Sequence, residues 1–169
     1  MSALSIETRP ESELKSRRFN NVDLHTVVSL FSGIGGLDLG VGSVIETVTL
    51  AYCEREAILA ERGREGRIDH APIYSDIKSF PTEVFAGKTD GVLASPPCQP
   101  FSVAGKKAGA SDDRNLWPDT IRTIRALGAR WFFMENVPGL VVDAYFGEIL
   151  RDISKAGFDA EWGTFKASD

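Results

Sequence analysis

Residues 25–36 read HTVVSLFSGIGG, an apolar, β-branched run that ends abruptly at serine and glycine. Such a run predicts a buried strand that leads directly into a tight glycine turn. Four similar runs follow, at residues 47–53, 71–76, 90–95 and 130–136, with helical patterns between most of them. Strands that alternate with helices indicate an α/β fold with a mostly parallel, doubly wound sheet. An alternating pattern at residues 159–167, DAEWGTFKA, predicts a sixth strand.

The chain has 169 residues, 43% of them hydrophobic, and a formal net charge of -5. This length suits one domain, and no stretch is long or apolar enough to span a membrane. Residues 1–22 are polar and predict a disordered arm, which leaves residues 23–169 as the folded domain. Cys53 and Cys98 form no CxxC or zinc motif, so we expect no metal and a reducing compartment. Because no signal peptide is present, we expect a cytoplasmic location.

Polar residues lie where the predicted strands end. The turn at Gly33, Gly35 and Gly36 lets the backbone approach a ligand closely, although a purely structural turn has the same pattern. Glu54 follows the second strand, where a carboxylate can accept two ribose hydroxyls or simply begin a helix. Asp76, after the third strand, could accept a hydrogen bond from an adenine amino group, or it could only stabilise the local turn. Ligands of parallel sheets bind at the carboxyl ends of strands, so we expect one shared site.

A cysteine follows two prolines at the end of the fourth strand, in SPPCQPFSVAGK, residues 95–106. Pro96 and Pro97 have fixed φ angles and hold the direction of the Cys98 side chain. Many cysteines are small buried hydrophobes, and that interpretation stays open for Cys98. Lys106 and Lys107 follow in a loop that is either solvated or in contact with nucleic acid. The acidic balance of the whole chain argues against DNA unless another segment or subunit carries the basic surface.

Glu135 follows the aromatic fifth strand, in MENVPGL, residues 134–140. It is either a carboxylate facing water or a carboxyl beside apolar walls, which could hold and deliver a proton near neutrality. A thiol and a proton-donating carboxyl at neighbouring strand ends suit conjugate addition to an electron-poor ring. The thiolate attacks while the carboxyl protonates a ring nitrogen. The candidate catalytic pair is therefore Cys98 and Glu135.

Three motifs together resemble, in order and spacing, those of DNA cytosine-5 methyltransferases. They are SLFSGIGGLDLG at residues 29–40, SPPCQPFSVAGK with DDRNLW at residues 95–106 and 112–117, and MENVPGL. The resemblance covers nearly everything after the N-terminal arm. It implies a class I, Rossmann-like methyltransferase fold with S-adenosyl-L-methionine as cofactor. It also implies duplex DNA containing a target cytosine as substrate, in restriction-modification or epigenetic methylation, and with it an association with the nucleoid.

The resemblance assigns roles to individual residues. Cys98 would attack C6 of a cytosine flipped out of the duplex, while Glu135 would bind and protonate N3. Glu54 would hold the ribose of the cofactor, and Asp76 would meet the adenine. The residues that would bind the cofactor are Phe31, Ser32, Gly33, Ile34, Gly35, Gly36, Glu54, Arg55, Asp76, Ile77, Pro97 and Leu116. Those that would contact DNA or shape its pocket are Gln99, Ser102, Lys106, Lys107 and Asn136.

Two departures from the family pattern qualify the resemblance. Ser29 stands where an aspartate is often found, which we expect to matter little. Family members also continue beyond the equivalent of residue 169 into a further strand, a target-recognition region and a C-terminal helix. The resemblance therefore implies a fragment or split subunit, truncated before the last strand, inactive alone and completed by a C-terminal chain.

Three alternatives remain open at this point. An RNA cytosine-5 methyltransferase acting on tRNA uses the same motifs. An exocyclic amino methyltransferase shares the SPP triplet, although it usually places an aromatic residue after the prolines and needs no thiol. From a different class, the chain could be a non-catalytic remnant that binds only the cofactor or a partner.

Overall fold

The computed structural model describes residues 24–56, 59, 63, 66, 68–97 and 115–165. The predicted arm and the loop that carries Cys98 lie outside these residues, as does most of residues 57–67. The five strands form one parallel sheet in the order β3-β2-β1-β4-β5. They are β1 His25–Leu30, β2 Thr47–Cys53, β3 Ile73–Tyr74, β4 Gly91–Ala94 and β5 Trp131–Met134. The predicted α/β architecture is thus confirmed.

The central strand explains why the sheet forms. Val27, Val28 and Leu30 of β1 are almost completely buried, as expected for a parallel strand covered on both faces. The strands are aligned so that Leu30 pairs with both Cys53 and Ala94. Tyr74 and Met134 pair in turn with Cys53 and Ala94. All five strands therefore end at the same level and share one carboxyl edge.

The helices with both ends in the described part of the chain are α1 Gly36–Gly42, α2 Thr82–Phe85, α3 Trp117–Leu127 and α4 Phe146–Lys155, and Leu59 and Gly63 are also helical. The longest, α3, buries an apolar face that includes Ile121, Ile124 and Leu127. It begins beside a proline and ends at Gly128, whose φ of 67° is the left-handed conformation typical of a helix terminus. None of the helices in this part is long and apolar enough to cross a membrane.

The prediction of a sixth strand was wrong. Residues 159–165 adopt no regular secondary structure, and residues 166 and 167 lie outside the described part. Trp162 and Phe165 are 60% and 81% exposed, although the Trp162 ring meets Phe146 of α4 edge-on at 5.5 Å. A strand needs a hydrogen-bonded neighbour along its length, and an alternating pattern cannot supply one. The alternating pattern in residues 159–165 therefore reflects apolar side chains that are not part of a sheet.

Candidate functional site

The glycine turn leaves β1 with an unusual backbone. Gly33 and Gly35 have φ angles of 53° and 79°, and Phe31 has a φ of 57°, which is uncommon outside glycine. The Phe31 N–H donates to the carbonyl of Cys53 at 2.6 Å, so the strained residue is anchored to the end of β2. A Cβ on Gly35 would lie 2.9 Å from a methyl carbon of Ile68, so packing also requires glycine there. The turn therefore holds strain of about 1–3 kcal/mol per unfavourable residue.

Ser29, the departure from the family pattern, takes part in this turn. It is buried, and its hydroxyl lies 2.8 Å from the hydroxyl of Ser32. Ser32 in turn donates to the carbonyl of Ser29 at 3.2 Å. The two serines thus connect the end of β1 to the glycine turn. Sequence reasoning did not assign this connection to Ser29.

Glu54 extends from the end of β2 and contacts the same turn. Its Oε2 accepts the backbone N–H of Gly33 at 2.7 Å, and its Oε1 accepts that of Glu56 at 2.8 Å. The side chain is half-buried. Glu54 therefore does more than begin a helix, because it links two strand ends through its carboxylate.

Asp76 lies after β3 and shapes the opposite side of the site. Its Oδ1 accepts the N–H of Lys78 at 2.9 Å and caps the 3₁₀ helix Ile77–Ser79. Ile77 is buried, whereas the second oxygen of Asp76 is not used by this cap. Asp76 thus serves a turn, as one interpretation expected, and still faces the site.

These residues surround a cavity of about 630 Å³ at the carboxyl edge of the sheet. Cavities of 300–1,000 Å³ are typical of cofactor sites. Of the predicted cofactor residues, the cavity is lined by Phe31, Glu54, Arg55, Asp76, Ile77, Pro97 and Leu116. The lining residues that sequence reasoning missed are Cys53, Glu56, Ser75, Lys78 and Ser95. The predicted residues Ser32, Gly33, Ile34, Gly35 and Gly36 belong to the adjoining turn and do not line the cavity.

Cys53 lies in this cavity, but its thiol is unsuited to nucleophilic attack. Burial raises its pKa to about 12, and the carboxylates of Asp76 and Glu54 add to the effect. The thiol is therefore neutral at physiological pH, and neutral thiols are poor nucleophiles. Only its position at the end of the apolar strand β2 could have suggested that Cys53 lines a site.

Leu116 is placed by its neighbour Asn115, which sequence reasoning did not single out. The Asn115 Oδ1 accepts the N–H of Trp117 at 3.1 Å, and its amide donates to the Tyr145 hydroxyl at 2.8 Å. Burial raises the pKa of Tyr145, so the hydroxyl remains a neutral partner. Asn115 thus fixes the start of α3, where Leu116 borders the cavity.

Glu135 and Asn136 stand at the end of β5, next to the chain that leaves β4. The N–H of Glu135 donates to the carbonyl of Ala94 at 3.0 Å. The Asn136 amide donates to the carbonyl of Pro96 at 3.1 Å, and its Oδ1 accepts the N–H of Val137 at 2.8 Å. Asn136 therefore ties the proline segment that precedes residue 98 to the strand that carries Glu135. The remaining predicted residues, Cys98, Gln99, Ser102, Lys106 and Lys107, lie outside the described part.

A second, apolar concavity of about 470 Å³ adjoins Glu135, and we call it the β5 groove. It is lined by Phe133, Met134, Glu135, Asn136, Val137, Pro138, Leu140, Val141, Phe146, Glu161, Trp162, Gly163, Thr164 and Phe165. The strand β5 forms one edge of the sheet, and Phe133 is 51% exposed on it. A large apolar surface at a strand edge is typical of an interaction site.

Comparison with known proteins identifies the family and the fold. The model of the C-5 cytosine-specific DNA methylase family matches residues 25–169. The chain belongs to this family. Two Type II methyltransferases are similar to it: M.NgoPII of Neisseria gonorrhoeae, 32% identical over 147 residues, and M.AquIA of Picosynechococcus, 35% identical over 146 residues. These matches cover 85% and 78% of this chain.

The methylase chain spans about half the length of the curated relatives it matches, namely 43% of M.NgoPII and 58% of M.AquIA. Among solved structures, a putative DNA modification methyltransferase encoded within an Escherichia coli prophage is 28% identical, with a TM-score of 0.57. That match covers 78% of this chain and 38% of the prophage protein. The fold is accordingly the Rossmann-like class I methyltransferase fold.

Proposed function

We propose that this chain transfers a methyl group from S-adenosylmethionine to C5 of cytosine in duplex DNA, together with a polypeptide that completes the enzyme. The observation that carries the proposal is the cavity at the carboxyl edge of the sheet. Residues from the first motif and from both parts of the second meet there: Phe31, Pro97 and Leu116, of which Pro97 directly precedes Cys98. The Type II relatives favour a role in restriction-modification.

The cavity fits the proposed cofactor in its donors and its walls. The carboxylate of Glu54 would accept the ribose hydroxyls, and Asp76 would accept the adenine amino group. Phe31, Ile77 and Leu116 supply apolar walls for the adenine. When bound, S-adenosylmethionine supplies an electrophilic methyl group on sulfur. The protein would orient this methyl towards the base held between residues 98 and 135.

The proposed chemistry needs a nucleophile and an acid on either side of one cytosine ring. The Cys98 thiolate would add to C6 as Glu135 gives a proton to N3, so that the electron pair gathers at C5. C5 would then take the methyl group. The broken sulfur–methyl bond would leave a neutral thioether. Loss of the C5 proton to a base would then expel the Cys98 thiolate, while N3 returns its proton to Glu135 and the aromatic ring is restored. The target base must leave the duplex for this reaction, because C6 is inaccessible within the stack.

Asn136 supports this pairing of Cys98 with Glu135. Its bond to the Pro96 carbonyl joins the two strand ends that carry the reacting groups. Positioning of this kind matters, because a displacement of about 1 Å can cost about a hundredfold in rate. We assign Asn136 to positioning rather than to direct contact with DNA.

The partner that we propose is a polypeptide carrying a target-recognition region, which would occupy the β5 groove. M.NgoPII is more than twice as long as the region this chain matches, so a relative carries additional protein in one chain. Among the described residues, the outer edge of β5 pairs with no strand, and Phe133 and Trp162 are exposed beside it. Such an edge suits an added strand with apolar side chains. The acidic chain would then receive its basic DNA surface from the partner.

Covalent trapping tests the reaction. A duplex with 5-fluorocytosine at the target site blocks the final elimination, because fluorine replaces the departing proton. The chain, mixed with the part of M.NgoPII that it does not match and with S-adenosylmethionine, is expected to form an adduct through Cys98. A Cys98→Ser variant is the matched control and should form none. Methylation that persists in this variant would refute the mechanism and favour amino methylation.

Two further comparisons separate the remaining candidates. Duplex DNA and tRNA are offered as methyl acceptors in parallel, and we expect incorporation into DNA only. Incorporation into tRNA alone would assign the chain to RNA methylation. Binding of S-adenosylmethionine without an adduct or methylation on either nucleic acid would indicate a binding remnant. Robust DNA methylation by the purified chain alone would refute the need for a partner.

A further inference from the structure

We propose that Glu54 is a positioning residue for the glycine turn, in addition to any contact it makes with the cofactor. The effect on cofactor binding rests on the proposed function, because the turn borders the cavity that we assign to S-adenosylmethionine. It concerns a hydrogen bond within the protein, from the N–H of Gly33 to the Glu54 carboxylate at 2.7 Å.

The turn needs an external support at this point. Phe31, Gly33 and Gly35 all have positive φ angles within five residues. The backbone N–H groups of Phe31 and Gly35 are held by the carbonyls of Cys53 and Ser32, at 2.6 and 2.7 Å. Within the described part of the chain, the Gly33 N–H donates to a side chain, the Glu54 carboxylate, rather than to a backbone carbonyl. The central amide of the turn is therefore supported by Glu54.

Glu54 is itself fixed by a second bond. Its other oxygen accepts the N–H of Glu56 at 2.8 Å, so the carboxylate is held at both ends. Each carboxylate oxygen can accept two hydrogen bonds. One site on each oxygen is used within the protein, and one remains for a ribose hydroxyl. The two internal bonds thus set the orientation in which the free sites meet a ligand, and they set the turn at the same time.

Glu54 could act on the cofactor ribose, on the glycine turn, or on both, and a loss of cofactor binding alone would not distinguish these roles. If Glu54 acts only on the ribose, its removal costs nothing for a ligand without ribose hydroxyls. If Glu54 also holds the turn, its removal weakens binding of that ligand too, because the turn borders the cavity. Hydrogen bonds to charged groups account for about tenfold to a hundredfold in equilibrium constants, and we expect losses in this range.

Calorimetry with two probes distinguishes the roles. S-adenosylhomocysteine and its 2′,3′-dideoxy analogue are titrated into the wild-type chain, Glu54→Ala and the control Glu83→Ala, which removes an exposed carboxylate on α2. We expect Glu54→Ala to weaken binding of the dideoxy analogue by about tenfold or more, and Glu83→Ala to bind like the wild type. Equal binding of the dideoxy analogue by wild type and Glu54→Ala would overturn the proposal.

Amide hydrogen exchange gives a test that needs no ligand. Without cofactor, the Gly33 amide should exchange about tenfold to a hundredfold faster in Glu54→Ala than in Glu83→Ala. Glu54→Gln keeps the side-chain volume but replaces one acceptor oxygen by an NH₂ group, which cannot accept a hydrogen bond. The variant should therefore lose the hydrogen bond to the N–H of either Gly33 or Glu56. Unchanged exchange of both amides in the two Glu54 variants would overturn the proposal. If the wild type binds neither probe, the cofactor assignment fails, and the exchange result still decides the role of Glu54.

Discussion

Replacement of Asp38 by asparagine should stabilise the protein, and increasingly so as the pH rises. Asp38 lies in α1, directly below the glycine turn, and is only 9% exposed. Neither of its carboxylate oxygens has a hydrogen-bond partner among the described residues. Burial raises the pKa of Asp38. The Ser29 hydroxyl, which is near the carboxylate but bonded to Ser32, offsets part of this, as does the backbone of Asp38 itself, and the Asp69 carboxylate adds to the rise. The protein therefore carries a carboxyl group that folds best when it is protonated.

The sign of the effect follows from the raised pKa. Below the unfolded pKa of about 3.9, both states are protonated and the group has no effect on stability. Above it, the unfolded chain ionises while folded Asp38 stays protonated, so stability falls with pH until the folded pKa is passed. The slope in this window is at most about 1.4 kcal/mol per pH unit. A buried polar group without a partner costs about 1–3 kcal/mol, and more when it is charged. Asparagine avoids the part due to the charge, so we expect a difference of the same order.

Urea unfolding at several pH values between 4 and 8 measures this difference. At the acidic end, Asp38→Asn and the wild type should have similar free energies of unfolding, and at pH 8 the variant should be more stable by about 1–3 kcal/mol. Asp159→Asn, which changes an exposed carboxylate, is the matched control and should show no such trend. A variant less stable than the wild type at pH 8 would show that the Asp38 carboxylate is stabilised by a partner, contrary to the reasoning.

Three further predictions concern the site and its support. Asn136→Ala should lower the free energy of unfolding by about 1 kcal/mol, because the hydrogen bond to the Pro96 carbonyl is lost. The same variant should form the covalent adduct at least about tenfold more slowly, and unchanged trapping kinetics would contradict a positioning role for Asn136. Gly91→Ala should destabilise the chain by about 1–3 kcal/mol in thermal unfolding, because the new Cβ would overlap the Trp131 ring, and a neutral result would contradict that packing. Cys53, with its pKa of about 12, should resist iodoacetamide at pH 8 in the folded chain and react once the chain is unfolded, as followed by mass spectrometry; rapid labelling of the folded state would contradict its burial.

The sequence predicted those parts of the fold that depend on local pattern. The apolar run at residues 25–30 and the glycines after it define β1 and its turn through short-range preferences alone. The strand-end rule then predicted that Glu54 and Asp76 would share one site, and both line the cavity. The sixth strand failed for the opposite reason: pairing depends on a neighbour that no local pattern contains.

The contacts that hold the site together were beyond sequence reasoning. The bond between Gly33 and Glu54 joins residues 21 positions apart, and that between Asn136 and Pro96 spans 40. Each depends on the register of the strands, which brings separate chain segments level at one edge. A glutamate or asparagine at a strand end indicates a candidate position, but its acceptor or donor is fixed only by the assembled sheet.

The central claim is that the cavity at the carboxyl edge of the sheet binds S-adenosylmethionine. Calorimetric titration of S-adenosylhomocysteine into the wild-type chain and Leu116→Arg tests it directly, because Leu116 borders the cavity and arginine would place a longer, charged side chain at that wall. We predict one molecule bound per wild-type chain and none by the variant, with the exposed substitution Glu83→Ala binding as the wild type does. Equal binding by the wild type and Leu116→Arg would contradict the account. So would the absence of binding by the wild type up to about 1 mM, a Kd that corresponds to a binding free energy of only about 4 kcal/mol.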